Sequence, residues 1–118
     1  MKLVSGNMQG QDYVYLYENT NVNELTGKVA SFFQKEGYKL EQGTPQNGVY
    51  GTGNAVARFF FGAFVKRSKF IVNINQQGDQ VRLAIRKGMT GFSGGLIGSS
   101  SMGNEYNRII HNIKVSVV

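Results

Sequence analysis

The stretch "KFIVNINQQGDQVRLAIRK", residues 69–87, decides the fold. Phe70, Val72 and Ile74 alternate with Lys69, Ile71 and Asn73; beyond Gly78-Asp79, Val81, Leu83 and Ile85 alternate with Arg82, Ala84 and Arg86. Successive side chains of a strand point to opposite faces, so this period of two predicts a hairpin with one shared apolar face. Gly78-Asp79 supplies its tight turn. The opposite face is basic and polar, and Lys69, Arg82 and Arg86 project from it together.

Outward from this hairpin the other elements follow. "YKLEQ" (38–42) and "GVYGTG" (48–53) flank the segment Pro45–Gly48, which predicts a second hairpin with Asn47-Gly48 as its turn signal. "QDYVYLYE" (11–18) sets Tyr13, Tyr15 and Tyr17 against Val14 and Leu16, a strand with two usable faces. In "NVNELTGKVASFFQKEG" (21–37), Asn21 followed by Glu24 makes a capping-box-like start. Val22, Leu25, Val29, Phe32 and Phe33 then share one helical face, and Gly37 ends the helix in a left-handed conformation. "NEYNRIIHNIKVSVV" (104–118) reads as a last helix, with Asn104 as cap, Glu105 in the first turn and a stripe of Tyr106, Ile109, Ile110, Ile113 and Val117.

"NAVARFFFGAF" (54–64) is ambiguous. Val56, Phe59, Phe60, Ala63 and Phe64 sit at helical spacing, whereas Phe61 does not. An extra short helix at 54–64 is the expectation, and a fully buried strand is the alternative. The order strand, helix, four strands, helix resembles the β-α-β4-α arrangement of TATA-binding-protein-like and helix-grip folds. That resemblance implies one antiparallel sheet covered by helices, an α+β fold. Such scaffolds host unrelated activities, so the likeness says little about function.

Length and composition bound the rest. A chain of 118 residues fits one domain, 1–118, and 41% hydrophobic with 12% aromatic residues suffices for a core without staples. Cysteine is absent, which removes disulfides, thiolate metal sites and cysteine nucleophiles, and fits a reducing compartment. The first residues lack the apolar run of a signal peptide, and no transmembrane segment is expected; a cytoplasmic location follows as the expectation. Net charge is +6, and its surplus lies between Arg58 and Lys87, where seven basic residues meet one acid, Asp79. Such a surplus attracts nucleic acid or an anionic surface, or simply keeps a face solvated.

"GFSGGLIGSSS" (91–101) contains a literal Gly-x-Ser-x-Gly around Ser93. A nucleophile elbow needs a strained strand-to-helix turn and a triad. Ser93, Glu105 and His111 even follow in the right order. Glu105 and His111, however, lie six residues apart on one predicted helix, about 120° away from facing each other. The catalytic reading therefore fails, and no enzyme is expected. No Walker loop is present, because no lysine follows these glycines. What survives is a candidate anion contact at Ser93, Gly94 and Gly95, weighed against a plain tight loop. One histidine and seven scattered acids make no metal-ligand spacing, and no cofactor is implied.

The expectation is a non-catalytic binding module that meets an anionic partner, a nucleic-acid backbone or an anionic surface, through Lys66, Arg67, Lys69, Arg82, Arg86 and Lys87. Tyr13, Tyr15 and Tyr17 could add stacking rings if their strand shows them on that side. Two alternatives belong to other classes. One is a binder of a small apolar or lipid-like ligand in a phenylalanine-rich cavity between sheet and helix, drawing on Phe32, Phe33, Phe59, Phe60, Phe61, Phe64 and Phe70. The other is a homo-oligomer or protein-interaction module built on Phe59 to Phe64.

Overall fold

The computed structural model describes residues 1–52, 68–88 and 95–118, with only the helical backbone given for 95–104. The expected short helix at 54–64, the interface at Phe59 to Phe64, and Lys66, Arg67, Ser93 and Gly94 lie outside the described residues.

Among the described residues, six strands and two helices make an α+β domain with a single antiparallel sheet. In chain order they are β1 (Lys2–Gln9), β2 (Asp12–Glu18), α1 (Val22–Lys35), β3 (Lys39–Gly43), β4 (Asn47–Gly51), β5 (Lys69–Gln77), β6 (Gln80–Lys87) and α2 (Gly95–Ser116). Across the sheet the order is β1-β2-β6-β5-β4-β3. The β5–β6 hairpin stands as expected, with Gln77 opposite Gln80 around a two-residue turn in which Gly78 takes φ +62°.

α1 starts where the capping signal places it. The Asn21 side chain accepts from the Glu24 N–H at 2.8 Å, satisfying a donor that has no partner within the helix. Leu25, Val29, Phe32 and Phe33 form its buried face. Its chain reverses at Gly37, φ +87°, and the Tyr38 N–H returns to the Phe33 carbonyl.

Three sequence expectations are corrected. First, a strand precedes the tyrosine strand: β1 pairs with β2 through the turn at Gly10-Gln11, so the order is β-β-α-β4-α. Gly6 and Asn7 interrupt its apolar alternation, and at the sheet edge it needs only one partner. Second, Asn47-Gly48 opens β4 and is not the turn. The reversal lies at residues 44–46, after Gly43 takes φ +76°, and the Thr44 hydroxyl accepts from the Asn47 N–H. Third, Asn104 does not cap the last helix, which begins at Gly95. Glycine and serine disfavour helix, yet extending an existing helix needs no new nucleus, and the packed half at 105–117 supplies that anchor.

Both helices cover the same sheet face. There Tyr15 and Tyr17 of β2, Phe70, Val72 and Ile74 of β5, and Val81, Leu83 and Ile85 of β6 meet the buried faces of α1 and α2. Phe33 is the hub, stacked on Tyr50 with ring centres 4.6 Å apart and in ring contact with Phe32, Tyr38 and Phe70. The buried Tyr15 hydroxyl donates to the Ile110 carbonyl at 2.7 Å, and that of Tyr106 donates to Ile85 at 2.9 Å, each fastening α2 to the sheet. Arg108 of α2 joins Glu105 to Glu36 just beyond α1, and Tyr38 donates to Glu105.

Candidate functional site

Among the described residues the other sheet face carries no helix, and its pattern follows from the register. Asp12 of β2 lies opposite Arg86 of β6, which lies opposite Ile71 of β5 and then Val49 of β4. Two residues further along, a second row runs Asn7, Val14, Ala84, Asn73, Asn47. A third runs Ser5, Leu16, Arg82, Asn75. The middle row is the shortest at the sheet centre, with longer side chains standing on both sides.

The result is a trough. Val14 and Ala84 are only 2% and 4% exposed, although neither belongs to the core beneath the helices. Residues buried on a face that no described helix covers mark a concave surface rather than a solvated one. A depression of about 310 Å³ is lined there by Asp12, Ile71, Asn73, Arg82, Ala84 and Arg86. A second, on Val49, Ile71 and Asn73, continues the surface toward Gly43 and Gly48. Ile71, 39% exposed, stands between the two.

The basic residues singled out from the sequence have separate fates. Arg86 forms a two-pronged pair with Asp12, Nε to Oδ1 at 2.8 Å and Nη2 to Oδ2 at 3.3 Å. This fork holds the planar guanidinium in one orientation and raises its pKa further. Lys69 reaches Glu41 across β4, with Nζ and Oε1 3.7 Å apart. Gly51 makes the crossing feasible, because a Cβ there would come within 2.6 Å of the Glu41 carboxylate. On this face Arg82, unlike Arg86 and Lys69, has no carboxylate partner among the described residues. Lys87 does not join these three: it pairs with Phe70 in register and its Nζ sits 5.6 Å from the Tyr106 ring centre, on the helix-covered side.

Amides form the remaining wall. Asn75 donates to Asn73, which donates to Asn47, so the three side chains are ordered across β5 and β4. Sequence reasoning missed this ladder and the partners Asp12 and Glu41, because each depends on register. Tyr15 and Tyr17 do not supply stacking rings to this face, since both are fully buried beneath the helices. Phe32, Phe33 and Phe70 are likewise buried in the core, and both depressions described above lie on the opposite face.

Glu105 belongs to a separate network. Its carboxyl is held below the usual carboxylate range, chiefly by hydrogen bonds from Arg108, with Tyr38 adding to the effect against the cost of burial. Burial pushes the Tyr38 hydroxyl pKa up, and its bond to Glu105 reinforces that shift. Gly95 is the first residue of α2. Among the described residues no three His, Cys, Asp or Glu side chains converge to hold a metal, and no helix is long and apolar enough to cross a membrane. Compared with known proteins, the chain matches no family model and no curated sequence.

Proposed function

We propose that this domain is a non-catalytic binding module that holds a small ligand with a flat, largely apolar body on its uncovered sheet face. The observation that carries this reading is the burial of Val14 and Ala84 to 2% and 4% on the side that the helices leave open. An apolar floor walled by polar groups suits a ligand whose body is desolvated while its edge is fixed by a few directional contacts. The guanidinium of Arg86, held planar by Asp12, supplies a surface on which a ring stacks. A helix-grip-like arrangement, extended here by β1, agrees with a scaffold for binding.

The competing reading, contact with a nucleic-acid backbone or anionic surface, draws its support from Arg82 and from cations that lie outside the described residues. Arg86 and Lys69 already have carboxylate partners, which leaves less positive potential for a polyanion. One pair of titrations separates the two. Amide-resolved NMR with 2-naphthamide, a flat neutral probe, is expected to shift Ile71, Asn73 and Ala84 equally at low and high salt. A labelled mixed-sequence oligonucleotide, followed by fluorescence polarisation, is expected to bind weakly at most. No response to the amide, together with salt-sensitive oligonucleotide binding lost on Arg82→Ala, would reverse the assignment.

A further inference from the structure

Resting on the reading of the uncovered face as a ligand site, we infer that the trough is built for a planar monoanion, an arylcarboxylate. Its carboxylate meets Arg82, while its ring lies on Ala84 between Ile71 and the Arg86 guanidinium.

Charge pairing selects the anion and its valence. Three carboxylates belong to this face, and each has a cation: Asp12 has Arg86, Glu41 has Lys69, and Glu18 has Lys2 at 3.8 Å. Among the described residues lining the trough, Asp12 cancels Arg86 and the charge of Arg82 is left over. One surplus positive charge matches one negative charge. A dianion or polyphosphate would leave charge uncompensated beside the Asp12 carboxylate. A second copy of the same face offers no unpaired carboxylate among the described residues and would set one Arg82 against another.

Geometry selects the body. Arg82 and Arg86 leave the same side of β6 four residues apart, a span of about 13 Å with Ala84 midway. The methyl of Ala84 is the smallest side chain on this stretch of the strand, so a flat group can lie between two longer neighbours. Arg86 cannot swing over to serve the anion without giving up its fork with Asp12. It therefore serves as a fixed plate for stacking, and Arg82 as the group that meets the charge. The Asn75–Asn73–Asn47 ladder spends one N–H of Asn75 and one of Asn73 internally. A carboxamide nitrogen carries two, so each retains a donor suited to a carboxylate oxygen.

The test compares 2-naphthoate with 2-naphthamide, which share a ring and differ in charge, by calorimetry and amide-resolved NMR on the full chain. The naphthoate is expected to bind about tenfold more tightly at low salt, and added salt should narrow the gap. Arg82→Leu should remove the preference and keep the amide's affinity, whereas Arg82→Lys should retain part of it. Thermal melts of each variant confirm that the fold is intact. Equal binding of the two probes, or a preference that survives Arg82→Leu, would overturn the monoanion inference alone. Binding of neither probe would overturn it together with the ligand-site reading beneath it.

Discussion

The two faces of the sheet draw on the same strands and solve opposite problems. On one, Tyr15, Tyr17, Phe70, Leu83 and Ile85 are fully buried against two helices, and rings meet rings at 4.6 to 6.3 Å. On the other, the same β2, β5 and β6 present Val14, Ala84, Ile71, Arg82 and Arg86, with no helix above them among the described residues. Stability resides in the first face, where large side chains are removed from water. Substitutions should therefore separate cleanly, with core changes costing stability and trough changes leaving it nearly intact.

The largest effect expected is from Phe33→Ala, which removes the hub of the aromatic core and should cost about 3–5 kcal/mol in denaturant unfolding. A loss under 1 kcal/mol would mean that the covered face is not where stability resides. Acidification comes next. Because the Glu105 carboxyl is held low in the folded chain, its contribution is present above the unfolded value and lost as pH falls through the folded one. The melting temperature of the native chain should thus drop more steeply on acidification below pH 5 than that of Glu105→Gln, in parallel thermal scans. Parallel curves would remove the network from the stability of the helix pair.

Two tyrosines sharpen the comparison within the covered face. Tyr15→Phe deletes a buried bond to the Ile110 carbonyl and should destabilise by about 1 kcal/mol. Tyr17→Phe deletes a buried hydroxyl that has no hydrogen-bond partner, so it should be neutral or stabilising by about 1 kcal/mol. Identical denaturation midpoints for the two variants would contradict the distinction. The smallest effect is reserved for the open face: Arg82→Leu should shift stability by no more than about 0.5 kcal/mol. A larger loss would give Arg82 a structural role.

How far the sequence discloses all this depends on whether the relevant signal is local. The β5–β6 hairpin is legible because alternation and turn lie within nineteen consecutive residues. β1 ends in a turn of the same kind, Gly10-Gln11 with φ +66° at Gly10, yet Gly6 and Asn7 break its pattern and it escapes notice. Gly6 has its own use, since the Tyr13 ring lies over it and a Cβ would meet that ring at 3.1 Å. Arg82 and Arg86 are visible as cations on one face. That Arg86 is already committed depends on Asp12, 74 positions earlier, and no local pattern carries that pairing. The trough is equally non-local, because it arises where the small side chain of Ala84 aligns with Val14 across two strands.

The strand order has a consequence for how the chain finds this structure. Among the pairings described, β1–β2, β3–β4, β4–β5 and β5–β6 each join strands that are neighbours in the chain, and only β2–β6 does not. That seam sets Tyr15 beside Leu83, so closing it orders a long intervening segment at once. Local hairpins form in microseconds, whereas distant strands must search. Zipping β2 to β6 is therefore expected to be the slow step of folding, and the same step aligns Val14 with Ala84. The trough thus comes into existence only when that long-range seam closes.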